Sequence, residues 1–305
     1  MINDKRASSV FLSLILVTSI VLNTTACYVI LIKVKKKELT HLFIISISVA
    51  NLLESIVGLI PELVALDEVL LRKTPLCITS SFTVFGLAIT SITHLSVLSL
   101  IRTAAIKCPV LWRNFYLKIC NKTWSKATLI SVCYGYGFIW AMFPVIGWSK
   151  YDLDLNNKSC SLDWKLSQLD SLSYILTVFI FCYIFPGLII ALTSYICKKA
   201  VLRQKKSKFI QNKKNQPIDT LKKVYLRICI LSAITYFVIW TPYAIVCALT
   251  MLKIIISEEL FTVVSIFSKL STISNVLINC FINKSFRKHL FNLRFIQLVV
   301  KKIFY

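Results

Sequence analysis

The sequence predicts an all-α membrane protein, a seven-transmembrane helix bundle with a short cytoplasmic amphipathic helix after the seventh span. Three observations predict it. The 305 residues are 57% hydrophobic and only 16% charged, with six glycines, a composition far from that of ordinary globular domains. Seven charge-poor runs each exceed the roughly 18 apolar residues that a spanning helix needs. Lysines and arginines fall on alternate connections between those runs, the pattern left when positive loops stay on the cytoplasmic side.

The first run, Ala7 to Ile32, has no basic leader followed by a small-residue cleavage site, so it reads as a signal anchor. Residues 1–9 are expected to form an extracellular tail, 10–282 one membrane domain and 283–305 a cytoplasmic helix and tail. The second run, Leu42 to Pro61, contains Glu54 and is followed at once by Glu62. The third, Thr74 to Ile101, holds His94, which reads as a satisfied interior histidine. The fourth is Ala127 to Gly147. The fifth, Ser171 to Cys197, and the sixth, Ile228 to Leu252, carry Pro186 and Pro242, where a missing amide lets a helix bend. The seventh, Phe261 to Ile282, has Lys269 as its single charge. Across all seven runs, Glu54 and Lys269 are the residues charged at pH 7.

Orientation follows from 27 of the 36 basic residues, which lie after the first, third, fifth and seventh runs with only Glu38 and Asp219 among them. This face is expected to be cytoplasmic and the N-terminus extracellular, in a multi-pass protein of the plasma membrane. The net charge of +23 is therefore assigned to a surface that favours anionic lipid headgroups, with no nucleic acid implied. The C-terminal segment NKSFRKHLFNLRFIQLVVKKIFY alternates aromatic and basic residues, as a helix lying on the inner leaflet would.

Most of the eleven cysteines sit inside apolar runs, where cysteine behaves as a small apolar residue. Cys77 and Cys160 stand apart on the outer side, where oxidising conditions favour a disulfide over two free thiols. Asn157-Lys158-Ser159 is a glycosylation sequon on the same loop as Cys160. Lys269 needs a chemical explanation, because a charge at the bilayer centre costs at least ~2.5–3.5 kcal/mol. A primary amine in an apolar cavity is a nucleophile that condenses with an aldehyde. The alternatives are a structural ion pair with a buried acid, or a polar path.

Cys77, Arg102 twenty-five residues later and Ile239-Trp240-Thr241-Pro242-Tyr243-Ala244 together resemble the rhodopsin-like family of G-protein-coupled receptors. Within it, the chain is similar to the animal opsins. Lys269 stands six residues before Asn275, and Asn283-Lys284-Ser285-Phe286-Arg287 resembles the opsin segment at the membrane exit. Gly147-Trp148-Ser149-Lys150-Tyr151, with Cys160 twelve residues after Trp148, also matches in spacing. The resemblance implies a retinal chromophore, 11-cis or all-trans, held as a Schiff base on Lys269. It further implies that Trp240, Tyr243, Ala244 and Tyr236 clasp the polyene, for which ordinary core packing is the alternative. A protonated Schiff base needs an anion nearby. Ser80 occupies the third-helix site of the visual-opsin acid, which leaves Asp154, Glu62 and Glu54 as counterion candidates in that order. Glu62 is eleven residues from Asn51, about three turns, so the two share a face.

The cytoplasmic half departs from the family. Arg102 lies between Ile101 and Thr103 without its acid, and Lys222 occupies the usual sixth-helix acid site. Asn275-Val276-Leu277-Ile278-Asn279 lacks the family's proline and tyrosine; Tyr134 replaces a tryptophan, and Ser194 a tyrosine. The resemblance implies a light-sensing receptor, not an enzyme, that couples through Arg102 and Asn275 to a heterotrimeric G protein and holds no metal. Two alternatives stay open: a retinal photoisomerase that does not signal, and a receptor for a diffusible ligand with Lys269 as an anion-binding cation.

Overall fold

The computed structural model describes residues 2–34, 38–64, 75–108, 110, 114, 123–154, 160–168, 170–210, 217–281 and 286–287, without the side chains of 2–7, 64, 123, 205–210, 217–221 and 281. The sequon asparagine Asn157 and all of the 283–305 segment except Phe286 and Arg287 lie outside the described residues.

In hydrocarbon a backbone amide has no water to turn to, so each apolar run satisfies its own hydrogen bonds as a helix. Helix α1 is Ile2–Tyr28, prolonged by a wide turn at Val29–Lys33. Helix α2 runs from Leu39–Glu54 through a wide turn at Ser55–Leu59 into Ile60–Val64. Helix α3 is Pro75–Lys107 and α4 is Thr123–Met142. Helix α5 joins Ser171–Val178, a wide turn at Phe179–Ile184 and Phe185–Ile210. Helix α6 is Pro217–Met251, and α7 comprises Glu258–Ser268, Ser271–Val276 and Leu277–Phe281. Between α4 and α5 a hairpin pairs β1, Tyr151–Leu153, antiparallel with β2, Cys160–Leu162.

Six of these helices, among the described residues, are long and apolar enough to cross a membrane. The 20-residue α4 completes the seven by packing along α3. Helix α1 begins at Ile2, within the stretch expected to be a tail, and the apolar span starts at Ser8.

Apolar side chains cover the outside of the bundle. Phe11, Val132, Leu192 and Val238 are 61, 62, 57 and 55% exposed, while Asn23, Asn51, His94 and Arg102 are buried. Polar groups therefore point inward and meet one another. His94 Nδ1 lies 2.8 Å from the Thr90 carbonyl and so carries the proton, leaving Nε2 to accept from Ser46 at 2.9 Å. Both ring nitrogens are occupied, as expected of an interior histidine.

Small residues bring α3 and α4 together. A Cβ on Gly137 would overlap the Gly86 carbonyl and the Thr90 hydroxyl, and would lie 2.9 Å from the Thr90 amide, whereas one on Gly135 meets nothing within 4 Å. Gly137→Ala is expected to lower stability by about 1–3 kcal/mol, the usual cost of overpacking. Gly135→Ala serves as control. Equal melting temperatures for the two variants in detergent would show that the close approach is not limiting.

Candidate ligand-binding site

Toward the hairpin end of the bundle, α2, α3, α5, α6 and α7 enclose a cavity of about 240 Å³. The hairpin roofs it. Cys77, at the start of α3, forms a disulfide with Cys160, and the two Cα atoms are 5.5 Å apart. With that anchor fixed, Leu162 at the end of β2 and Trp164 in the turn after it are buried against the bundle. Asp163 points the other way and accepts hydrogen bonds from Ser167, Ser171 and the Gln168 amide at 2.8–3.1 Å, which fastens the hairpin to the start of α5. At the rim, partial burial raises the Asp152 carboxyl, but Lys150 at 2.9 Å and the Leu153 amide draw it below its ordinary range. Trp164 reaches the cavity from a turn after β2, so no strand periodicity in the sequence marks it.

Lys269 enters this cavity at a break in α7. Residues 266–272 close tight i to i+3 hydrogen bonds, with Lys269 N donating to Ile266 O at 3.2 Å and Thr272 N to Lys269 O at 3.2 Å. Side chains from α1 and α2 brace the segment just past the break. The Thr272 carbonyl accepts from Asn23 at 3.0 Å and Asn51 at 3.2 Å, and Asn51 in turn accepts from Ser91 at 3.2 Å. Asn51 thus stabilises the α7 backbone three residues past Lys269.

The three acids are distributed unequally. Lys269 Nζ forms an ion pair with Glu62, the two side chains being 20 and 11% exposed. Glu54, buried, lines the same cavity within electrostatic reach of Lys269. On an unbroken helix Glu54 and Glu62 would be about 80° apart; the wide turn at Ser55–Leu59 absorbs an extra residue and returns them to within about 20°. Asp154, also buried, lies toward Tyr243 and Cys247 of α6 and interacts with both. All three acids line the cavity; Glu62 is the one in contact with the amine, and Asp154 sits on the α6 side.

Trp240, Tyr243 and Ala244 line the cavity, joined by Phe85, Trp164 and Tyr183, while Ser80 sits in the α3 wall. Tyr236 does not line it. Its hydroxyl donates to the Tyr183 carbonyl at 2.7 Å and its ring stacks on Tyr183, so it borders a smaller void beneath Trp240. One helical turn inward from Trp240 is already under the floor. The wall is largely aromatic and apolar, with one amine–carboxylate pair at its α2–α7 side, which suits a long apolar ligand that carries one carbonyl-type reactive end.

At the opposite end of the bundle, Arg102 is buried at 2% exposure. Its Nε and Nη1 have no hydrogen-bond partner among the described residues. Lys222 donates to Gln204 at 2.9 Å, in keeping with its being a cation where an acid would have paired with Arg102. Asn275 borders the smaller void, and its carbonyl accepts from Asn279 at 2.7 Å. Ser194 donates to the Cys229 carbonyl at 2.9 Å, which brings α5 and α6 close together there.

Comparison with known proteins agrees with this arrangement. The family model for 7 transmembrane receptors (rhodopsin family) matches residues 22–283. Opsin-3 of Mus musculus is 26% identical over 257 residues, covering 83% of this chain but 62% of that protein. Pinopsin of Gallus gallus is 26% identical over 279 residues, 89% of this chain and 74% of its own length. The visual pigment-like receptor peropsin of Homo sapiens is 26% identical over 213 residues, 67% of this chain and 58% of that one. Squid rhodopsin has the same fold, with a TM-score of 0.80 at 18% identity over 96% of this chain and 85% of that chain.

Proposed function

The chain belongs to the rhodopsin family of seven-transmembrane receptors, and on that premise we propose that it is a light receptor that carries retinal on Lys269. The observation that supports this reading is the Lys269 amine, set in an aromatic cavity against the Glu62 carboxylate. Bound retinal would supply a polyene whose shape changes with light. This chain's residues would do the rest. Lys269 Nζ holds the covalent link, and Glu62 balances a proton on that nitrogen. Trp240, Tyr243 and Ala244 confine the ligand from α6, and the hairpin under Cys160 excludes water. Tyr236 supports the floor through Tyr183.

Trp240 stands between the cavity and the smaller void bounded by Tyr236 and Asn275, so a ligand that changes shape against Trp240 acts on α6. Two states with different ligand contacts are what such switching needs. In this reading the N-terminus is extracellular, the Arg102 end is cytoplasmic, and a heterotrimeric G protein docks there on the basic face beside anionic lipids. Arg102, whose Nε and Nη1 find no hydrogen-bond partner among the described residues, and the Asn275–Asn279 segment without proline or tyrosine favour a second reading, photoisomerisation without signalling. A light-dependent second-messenger assay separates the two.

The full chain, expressed and incubated in darkness with 11-cis- or all-trans-retinal, is expected to develop a visible absorbance band that light alters. Borohydride reduction should then leave the retinyl mass on the peptide containing Lys269. Absence of a band with either isomer, or an adduct mapped elsewhere, would sink the proposal.

A further inference from the structure

Among the described residues, the hydrogen bonds that tie α5 to α6 pair no opposite charges. At cavity level the Tyr183 and Thr241 hydroxyls lie 2.9 Å apart, and the Tyr236 hydroxyl donates to the Tyr183 carbonyl at 2.7 Å. Gly187 permits the approach, since a Cβ there would lie 3.0 Å from the Tyr236 ring. Toward the Arg102 end, Ser194 donates to the Cys229 carbonyl at 2.9 Å, and Lys222 donates to the neutral amide of Gln204 at 2.9 Å. The same stretch of α5 also holds α3, because Thr103 donates to the Thr193 carbonyl at 3.2 Å. Successive residues of α5 thus grip the helices on either side. Thr103 and Ser194 are buried, near the packed cluster of Ile106, Cys197, Val201 and Cys229. A hydroxyl so placed either keeps its protein acceptor or goes unsatisfied, and the second state is the costly one. Among the described residues, no ion pair joins α3 to α6.

We infer that Thr103, the Thr193 carbonyl and Ser194 form a charge-free latch, in which α5 clasps α3 on one side and α6 on the other and keeps the Arg102 end closed. Opening this end lets water in, and each hydroxyl then trades its protein acceptor for water. The exchange is nearly balanced, so each catch biases the closed state modestly and releases reversibly. The latch uses α3, α5 and α6 alone. It therefore stands apart from Lys269 and from whatever the cavity holds.

The test is the α3–α6 distance in the retinal-free full chain in nanodiscs, read by double electron–electron resonance. Spin labels go on Lys107→Cys and Lys223→Cys, two exposed positions. Cys27→Ser, Cys108→Ser and Cys120→Ser leave only buried free thiols to compete for label. Ser194→Ala and Thr103→Val should each raise the long-distance population about two- to tenfold, and the double variant more than either. Thr103→Ser keeps the hydroxyl and should behave as the parent. Thr193→Val should do so too, because the Thr193 hydroxyl bonds within α5 to the Ile189 carbonyl at 2.7 Å and only its carbonyl serves the latch. Where Ser194→Ala fails to fold, Thr103→Val carries the test alone. An unchanged distribution in either folded variant, or a shift in Thr193→Val as large as theirs, overturns the inference.

Discussion

Glu62→Gln is expected to move the absorbance band of the retinal-loaded protein from the visible to the near-ultraviolet at neutral pH. Glu62 is the acid that contacts Lys269. With an amide in its place, a positive nitrogen at Lys269 would be buried without its partner, and a buried group in that position gives up its proton. Shifts of about 3–5 pH units are known for fully desolvated groups. Lowering the pH should therefore bring the visible band back. Asp154→Asn is expected to leave the band in the visible, because Asp154 interacts with Tyr243 and Cys247. Glu54→Gln should give a smaller shift, since Glu54 is within electrostatic reach of Lys269 without a hydrogen bond to it among those described. Absorbance between pH 4 and pH 9 reads all three variants. A visible band in Glu62→Gln together with an ultraviolet one in Asp154→Asn would reverse the assignment.

Glu62 and Asp154 are placed by features of different reach. Helical spacing from Asn51 brings Glu62 to the correct face, but the wide turn at Ser55–Leu59 that also aligns Glu54 has no composition signature. It is set by packing against neighbouring helices. The position of Asp154 depended on the direction of a hairpin, which becomes fixed only once Cys160 is tied to Cys77 and Asp163 is held by Ser171. The spans themselves were legible because hydrocarbon imposes one local rule on every apolar run. Lys269 was legible for the complementary reason, as the single charge in such a run. For Tyr236, spacing along the helix gives its face but not the depth of the cavity floor. The loss of an acid beside Arg102 was visible in the sequence.

Lys269→Ala is expected to abolish the pigment and also to destabilise the retinal-free protein, and the two effects have separate causes. The first follows from loss of the amine. The second follows from Glu62, which keeps its place beside the cavity but loses the cation it pairs with. Removing one member of a buried pair costs about 3–5 kcal/mol. At 20 and 11% exposure this pair should fall near the lower end of that range. The double variant Lys269→Ala/Glu62→Gln removes both charges, so it should recover much of the stability while still forming no pigment. Melting temperatures of the four retinal-free proteins in one detergent close the cycle, and dark spectra after retinal addition read the other axis. If the double variant melts as low as Lys269→Ala, the ion pair is not what stabilises this end of α7. If either protein without Lys269 still forms a visible band, the amine is not the attachment point, because Lys269 is the one lysine in the seven charge-poor runs.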